Sequence, residues 1–131
     1  MSDDVVRELS AVLDTTEMRE VRARNAAETI RAARGYQWAG IYDVDDAEIE
    51  LIGHTGIQAR VDVRAPVDAG LHDEAVRTRT TVFSGQTAVA PILGAETGMV
   101  IGTLEVENGA FEDDDRAFIE ASAQALMPLF E

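Results

Sequence analysis

Apolar residues recur at helical spacing at both ends of the chain and follow strand-like patterns in the middle. The first two helical stripes comprise Val5, Val6, Leu9, Val12 and Leu13, and then Met18, Val21, Ala26, Ile30 and Ala33. They predict a short helix capped by Asp3 or Asp4 and a second helix over residues 16–34 that ends at Gly35. A closing helix is predicted over residues 113–130, with three aspartates at its positive end.

The middle of the chain predicts an antiparallel sheet. Strands over residues 36–43 and 48–55 form a hairpin, and an extended piece around 60–66 leads into a two-turn helix at 71–79. Three further strands have the sequences TTVF, QTAVAPIL and MVIGTLEVE. This order predicts an α+β fold in which the terminal helices pack on one face of the sheet and the other face forms a ligand pocket. The single domain, 1–131, comprises N-terminal helices (1–34), the sheet with its short helix (36–109) and a C-terminal helix (112–131).

The first predicted strand carries two large aromatic residues on one face. Because side chains alternate along a strand, Trp38, Gly40 and Tyr42 point one way, and Ala39 and Ile41 point the other way. Small and aliphatic residues suit close packing against helices, so the aromatics are assigned to the pocket face. The alternative is that they only contribute to the core above the sheet.

The last predicted strand places two carboxylates on that same pocket face. Leu104 and Val106 share the helix face, which leaves Thr103, Glu105 and Glu107 on the opposite one. Two carboxylates on a half-buried face can hold a cationic amine through charge-assisted hydrogen bonds. Alternatively, both are surface glutamates of an acidic chain and have no binding role.

The charge is strongly negative and evenly dispersed. The sequence has 25 acidic and 11 basic residues, all of the latter arginine, for a net charge of -14. Dispersal favours adaptation to a salty, halophilic cytoplasm over a dedicated basic partner, and it argues against nucleic-acid binding because no basic cluster exists to neutralise phosphates. The acidic N-terminus and the absence of a long apolar run predict a cytoplasmic protein that does not enter a membrane.

The chain contains no cysteine and only two histidines. Disulfides, thiol nucleophiles and thioether-linked cofactors are therefore excluded, and the spacing of His54 and His72 predicts no metal site and no cofactor. His72, near the start of the short helix, either hydrogen-bonds a ligand or caps the helix entry. His54 is interpreted as a turn residue. No nucleophile, base and orienting group can be assembled, so no catalytic residue is predicted.

Six segments follow one another in an order that resembles a GAF domain over residues 16–130. They are WAGIYDV, IGHTG, APVDAGLHDEAV, TAVAPIL, GMVIGTLEVEN and FEDDDRAFIEASAQAL. The pattern is most similar to the branch that contains free methionine-(R)-sulfoxide reductase. In that branch, acidic residues at the end of the last strand hold the amino group of a free amino acid. The resemblance implies this role for Glu105 and Glu107.

Two departures from that branch decide the functional prediction. His72 stands where the reductases carry a cysteine, and the loop that holds their other cysteines is reduced to FSGQT. Reductase chemistry needs a thiolate, so a diverged reductase is the least favoured hypothesis. The sequence instead predicts a noncatalytic sensor domain in signal transduction, whose ligand is an amino acid or related small metabolite. The alternative is a ligand-free module for dimerisation or for docking another protein.

The terminal helices carry more apolar residues than one sheet face requires. They predict a homodimer in which the helices form a seam between two subunits and pass the signal on to a partner protein. The seam residues are Val5, Leu9 and Val12 with Leu126, Leu129 and Phe130. The alternative is that these side chains pack within one chain.

The net charge predicts a salt-dependent stability. Repulsion between surface carboxylates is screened over about 10 Å at 0.1 M salt and about 3 Å at 1 M salt. We expect a higher unfolding temperature in molar KCl than in dilute buffer, measured by circular dichroism. An unfolding temperature that does not depend on KCl would contradict this reading of the charge.

Overall fold

A computed structural model describes residues 2–57, 64–66 and 70–130. Two helices lead into six strands, with one helix between the third and fourth strands and one after the sixth. Among the described helices, none combines the length and apolar character that a bilayer crossing requires. The elements are α1 (Ser2–Leu13), α2 (Arg19–Arg34), β1 (Trp38–Val44), β2 (Glu48–Gly56), β3 (Arg64–Pro66), α3 (Gly70–Thr78), β4 (Val82–Ser84), β5 (Thr87–Leu93), β6 (Val100–Glu107), α4 (Asp115–Gln124) and a final 3₁₀ turn (Met127–Phe130).

The strands form one sheet in the order β3-β2-β1-β6-β5-β4, and every neighbouring pair is antiparallel. The predicted α+β fold is confirmed. Of the extended piece predicted around 60–66, residues 64–66 form β3 and residues 60–63 lie outside the described part of the chain. The closing helix is shorter than predicted and gives way to the 3₁₀ turn. Pro128 lies in that turn, and proline has no N–H to continue an α-helix.

A stripe of small residues lets α2 lie close to the sheet. Its buried positions are Ala23, Ala26, Ala27 and Ile30, and the predicted Gly35 cap adopts the left-handed conformation with φ of 65°. The inclusion of Met18 in the stripe was wrong, since this residue is 70% exposed and the helix begins only at the next residue.

Gly53 shows how close this contact is. It pairs with Ile41 and faces α2, and a Cβ at this position would lie 2.6 Å from the backbone nitrogen of Arg24. The backbone of α2 and the methyl group of Ala23 therefore lie directly against β2 at this position.

The residues proposed to form a seam between subunits are mostly buried within the chain. Val5, Leu9, Leu126 and Leu129 are at most 3% exposed, because α1 packs against α2 and α4. Val12 and Phe130 are half-buried against the same core. The predicted seam is therefore wrong for Val5, Leu9, Leu126 and Leu129, whose apolar surface the chain covers itself, and a homodimer through the terminal helices stays a prediction.

A buried polar cluster ties the end of α2 to α4. The Tyr36 hydroxyl donates to the buried Asp115 carboxylate, which also accepts bonds from the Glu112 backbone N–H at 2.7 Å and from Arg34 at 3.2 Å. Burial, reinforced by the bond to Asp115, raises the pKa of Tyr36 well above its usual value. The neutral phenol is therefore the form that the fold requires.

Replacing Gly53 tests the contact between α2 and β2. Gly53→Ala should lower the free energy of unfolding by about 1–3 kcal/mol, because the new methyl group meets backbone atoms that have no rotamer to change. Gly109→Ala is the matched control, since a Cβ there has no neighbour within 4 Å. Urea unfolding measures both, and equal stability of the two variants would contradict the close contact.

Alkaline unfolding tests the buried phenol. An unfolded tyrosine loses its proton near pH 10, whereas folded Tyr36 retains it. The stability that this group contributes is therefore present below pH 10 and is lost as the pH rises further, by up to about 1.4 kcal/mol per pH unit. Tyr36→Phe should flatten this decline in urea titrations between pH 9 and about pH 11. Parallel curves for the two proteins would contradict the prediction.

Candidate functional site

The sheet face opposite the helices carries the predicted site residues in one row. In the register of β1 with β6, Trp38 lies opposite Glu107, Gly40 opposite Glu105 and Tyr42 opposite Thr103. Residues that lie directly opposite one another share a face. The aromatic and acidic side chains singled out from the sequence therefore belong to one surface.

His72 reaches this row from α3, which packs against β4, β5 and β6. Its Nδ1 lies 2.9 Å from Thr103 Oγ1, and its Nε2 lies 2.8 Å from Glu105 Oε1. A carboxylate only accepts hydrogen bonds, so Nε2 donates to Glu105, and in a neutral ring Nδ1 accepts from the Thr103 hydroxyl. The ring also meets Tyr42 edge to face, with centroids 4.6 Å apart. Both ring nitrogens thus have partners, in a side chain that is only 11% exposed.

The indole of Trp38 covers the centre of β1. A Cβ on Gly40 would lie 2.1 Å from its Cη2 atom, so the ring lies where any side chain at position 40 would stand. Trp38 has no accessible surface. The imidazole of His54 stacks beside it, and the centroids of the two rings are 6.0 Å apart. Among the described residues, no group accepts a hydrogen bond from its Nε1–H. The protein's own aromatic side chain therefore occupies the space above the strand.

Four of the five predicted binding residues thus meet in one buried cluster, and Glu107 ends the same row beside Trp38. The cluster consists of Trp38, Tyr42, His72 and Glu105, joined by Thr103. Thr103 was assigned to this face from strand alternation, but its bond to His72 was not predicted because α3 is remote in sequence. In the described part of the chain, no three His, Cys, Asp or Glu side chains are arranged to hold a metal ion.

A second concave feature adjoins this row, where β1 ends and β6 begins. This end cleft has a volume of about 470 Å³ and is bounded by the turn between β1 and β2, the C-terminal end of α3 and the start of β6. Its polar groups are Asp45, Asp46, Thr97 and Arg79. The sequence analysis missed it, because its walls come from turns far apart along the chain. The sequence contains one indication of this cleft. Arg79 directly follows the short helix, at a position where glycine is the usual residue.

The sequence matches no protein-family model and no curated protein. Solved structures do resemble the fold. A free methionine-R-sulfoxide reductase from Neisseria meningitidis, in complex with its substrate, superposes with a TM-score of 0.80 at 24% identity, covering 98% of this chain and 87% of that one. A type II enzyme of the same name from Thermoplasma acidophilum gives 0.72 at 20% identity, covering 86% and 92%.

A GAF domain from a different kind of protein also superposes on this chain. That of an Acinetobacter phosphoenolpyruvate-protein phosphotransferase superposes with a TM-score of 0.83 at 15% identity, covering 99% of this chain and 92% of that one. At these identities the likeness speaks for architecture and not for activity. The central antiparallel sheet, the helices on one face and the agreement over nearly the whole chain show that this protein has the GAF-like fold.

Proposed function

We propose that this protein is a noncatalytic GAF-fold sensor that binds a small amine-bearing metabolite, of the class of free amino acids, on the sheet face beneath α3. The observation that carries the proposal is the polar row of buried His72 and Thr103 with half-buried Glu105, beside the aromatic rings of Trp38 and Tyr42. In this arrangement Glu105 is the acceptor for the ligand's ammonium group, and the rings form the apolar walls.

The energetic contrast between the two sheet faces supports a binding role. The helix face is packed with aliphatic residues, among them Ile41, Leu104 and Val106. Burying a carboxylate and an imidazole costs several kcal/mol unless both are paired, and aliphatic residues of similar volume often give equal or greater stability. If the face beneath α3 served only as a hydrophobic core, aliphatic residues would suffice there, and His72 and Glu105 would not be required.

The contacts of His72 suggest how a ligand enters. Its Nε2–H occupies one acceptor position on Glu105, as an ammonium N–H of a ligand would. A ligand that takes this position displaces the imidazole and moves α3, and the indole of Trp38 leaves its place above Gly40. The ligand then favours a second arrangement of α3, which is what a sensor requires.

The absence of thiols supports a noncatalytic role. The reductases among the structural relatives act on a sulfoxide, and such chemistry requires a thiolate nucleophile. This chain has no cysteine, and His72 occupies the corresponding position in the resemblance. A histidine bonded to both Thr103 and Glu105 is held as a hydrogen-bonding group and does not replace a redox-active sulfur.

One observation favours a second candidate function, a ligand-free module that docks another protein or a second copy. Trp38 has no accessible surface, and Tyr42 is only 4% exposed. A face that is closed by its own side chains needs no ligand for stability. The two functions differ in whether any small molecule opens this face.

Thermal unfolding in molar KCl with a panel of small molecules tests the sensor proposal. The panel contains free amino acids, methionine sulfoxide, simple amines and cyclic nucleotides. A ligand at 100 times its dissociation constant adds about 2.7 kcal/mol to the free energy of unfolding, which raises the unfolding temperature by several degrees. The fluorescence of Trp38, the single tryptophan, should change with the same ligand. No stabilisation by any member would contradict the sensor and favour the docking module.

Two glutamate variants connect such a shift to the site. Glu105→Gln preserves an acceptor for His72 but removes the negative charge, so stabilisation by amines should be lost. Glu74→Gln removes the same charge from an exposed position on α3 and should bind as the native protein does. Equal stabilisation of both variants would place the ligand elsewhere.

A further inference from the structure

The end cleft combines an apolar floor with charges of both signs. Its volume of about 470 Å³ falls in the range of small-molecule sites. Val44, Val76 and Val100 contribute aliphatic surface, and Met99, which is 57% exposed, also lines the cleft. An exposed methionine beside aliphatic groups is an adaptable apolar contact surface.

Arg79 is the cation of this cleft, and it has two unusual properties. Its φ of 57° makes it the single non-glycine residue with a left-handed backbone in the described part of the chain. Glycine is the usual residue at such a helix end, and a side chain there costs about 1 kcal/mol. Residues in this conformation often mark functional positions.

Arg79 also lacks an anionic partner within the described chain, whereas Arg19, Arg31 and Arg34 each pair with a carboxylate. Among the described residues, Arg22, Arg24 and Arg116 also form no ion pair with a carboxylate, but of these four arginines Arg79 is the one that lines the end cleft. Its guanidinium is therefore available to a carboxylate from outside the chain.

Two aspartates of the turn between β1 and β2 also line the cleft. Asp45 Oδ1 accepts the backbone N–H groups of Ala47 and Glu48, both at 2.8 Å, which fixes the turn between β1 and β2. These bonds also lower the pKa of Asp45, so its carboxylate stays charged. Asp46, the next residue, is exposed at the same cleft.

We propose that the end cleft is a second small-molecule site, for a zwitterion with an aliphatic body such as an apolar α-amino acid. Arg79 binds its carboxylate, Asp45 and Asp46 attract its ammonium group, and the valines contact its side chain. A simple anion would be repelled by the two aspartates and by the net charge, and a simple cation would leave Arg79 unpaired. A zwitterion satisfies both signs, and none of the residues that line this cleft belongs to the cluster of Trp38, Tyr42, His72, Thr103 and Glu105.

Methionine-methyl NMR on the full chain tests this site directly. Protein labelled with ¹³C at the methionine methyl groups is titrated with leucine in molar KCl, and Met99→Leu identifies the Met99 signal. We expect a saturable shift of that signal, with little shift for 4-methylpentanoate, which lacks the amine, or for isopentylamine, which lacks the carboxylate. Equal responses to leucine and to either analogue would overturn the zwitterion assignment.

Three variants separate the proposed contacts from effects on folding. Arg79→Gly removes the cation and relieves the strained backbone, so the variant should fold while its affinity for leucine falls about tenfold or more. Arg24→Gln, which removes an exposed arginine of α2, should leave the affinity unchanged. Val76→Phe should block the cleft without changing a charge. Undiminished leucine binding by Arg79→Gly would overturn the proposal.

The fluorescence of Trp38 distinguishes this site from the cluster beneath α3. A shift of the Met99 signal with unchanged fluorescence supports the end cleft. A change in fluorescence with an unmoved Met99 signal overturns the end cleft but leaves the sensor proposal standing. If neither probe responds to leucine, the end cleft proposal is wrong, and the sensor proposal still depends on its own ligand panel.

Discussion

The register of β1 with β6 is the constraint on which the rest of the molecule depends. With the strands paired as they are, Ala39 and Ile41 lie opposite Val106 and Leu104 and form the floor under the helices. The alternating positions bring two aromatic rings, a hydroxyl and two carboxylates onto the other face. A shift of one residue would place carboxylates under the helices and aliphatic residues beneath α3, so the core and the candidate site have a common origin.

The candidate site is stabilised by mutual satisfaction of its polar groups. His72 bridges Thr103 and Glu105, and its ring packs on Tyr42, so one side chain from α3 completes three contacts. Loss of that side chain would remove one hydrogen-bond partner from Glu105 and one from Thr103. This costs more stability than a core in which all of these groups are apolar. The same bonds hold α3 in place and define what a ligand must replace.

Much of the fold and part of the site follow from the sequence, because both rest on local periodicity. Alternation along two strands was enough to place Trp38 and Glu105 on one face. Contacts between distant segments were not predictable in this way: the bond from His72 to Thr103 and the end cleft around Arg79 depend on how α3 packs. The subunit seam failed for a related reason, since an apolar stripe shows that Leu9 will be covered but not by which helix.

The direct contact of α2 with β2 has a mechanical consequence. Gly53 faces the helix backbone, and the next residue, His54, neighbours the indole of Trp38 on the opposite face. A side chain between helix and strand would absorb a small displacement by changing rotamer, whereas two backbones in contact move together. A displacement of α2 would therefore be passed through β2 to the strand position beside the protein's only tryptophan.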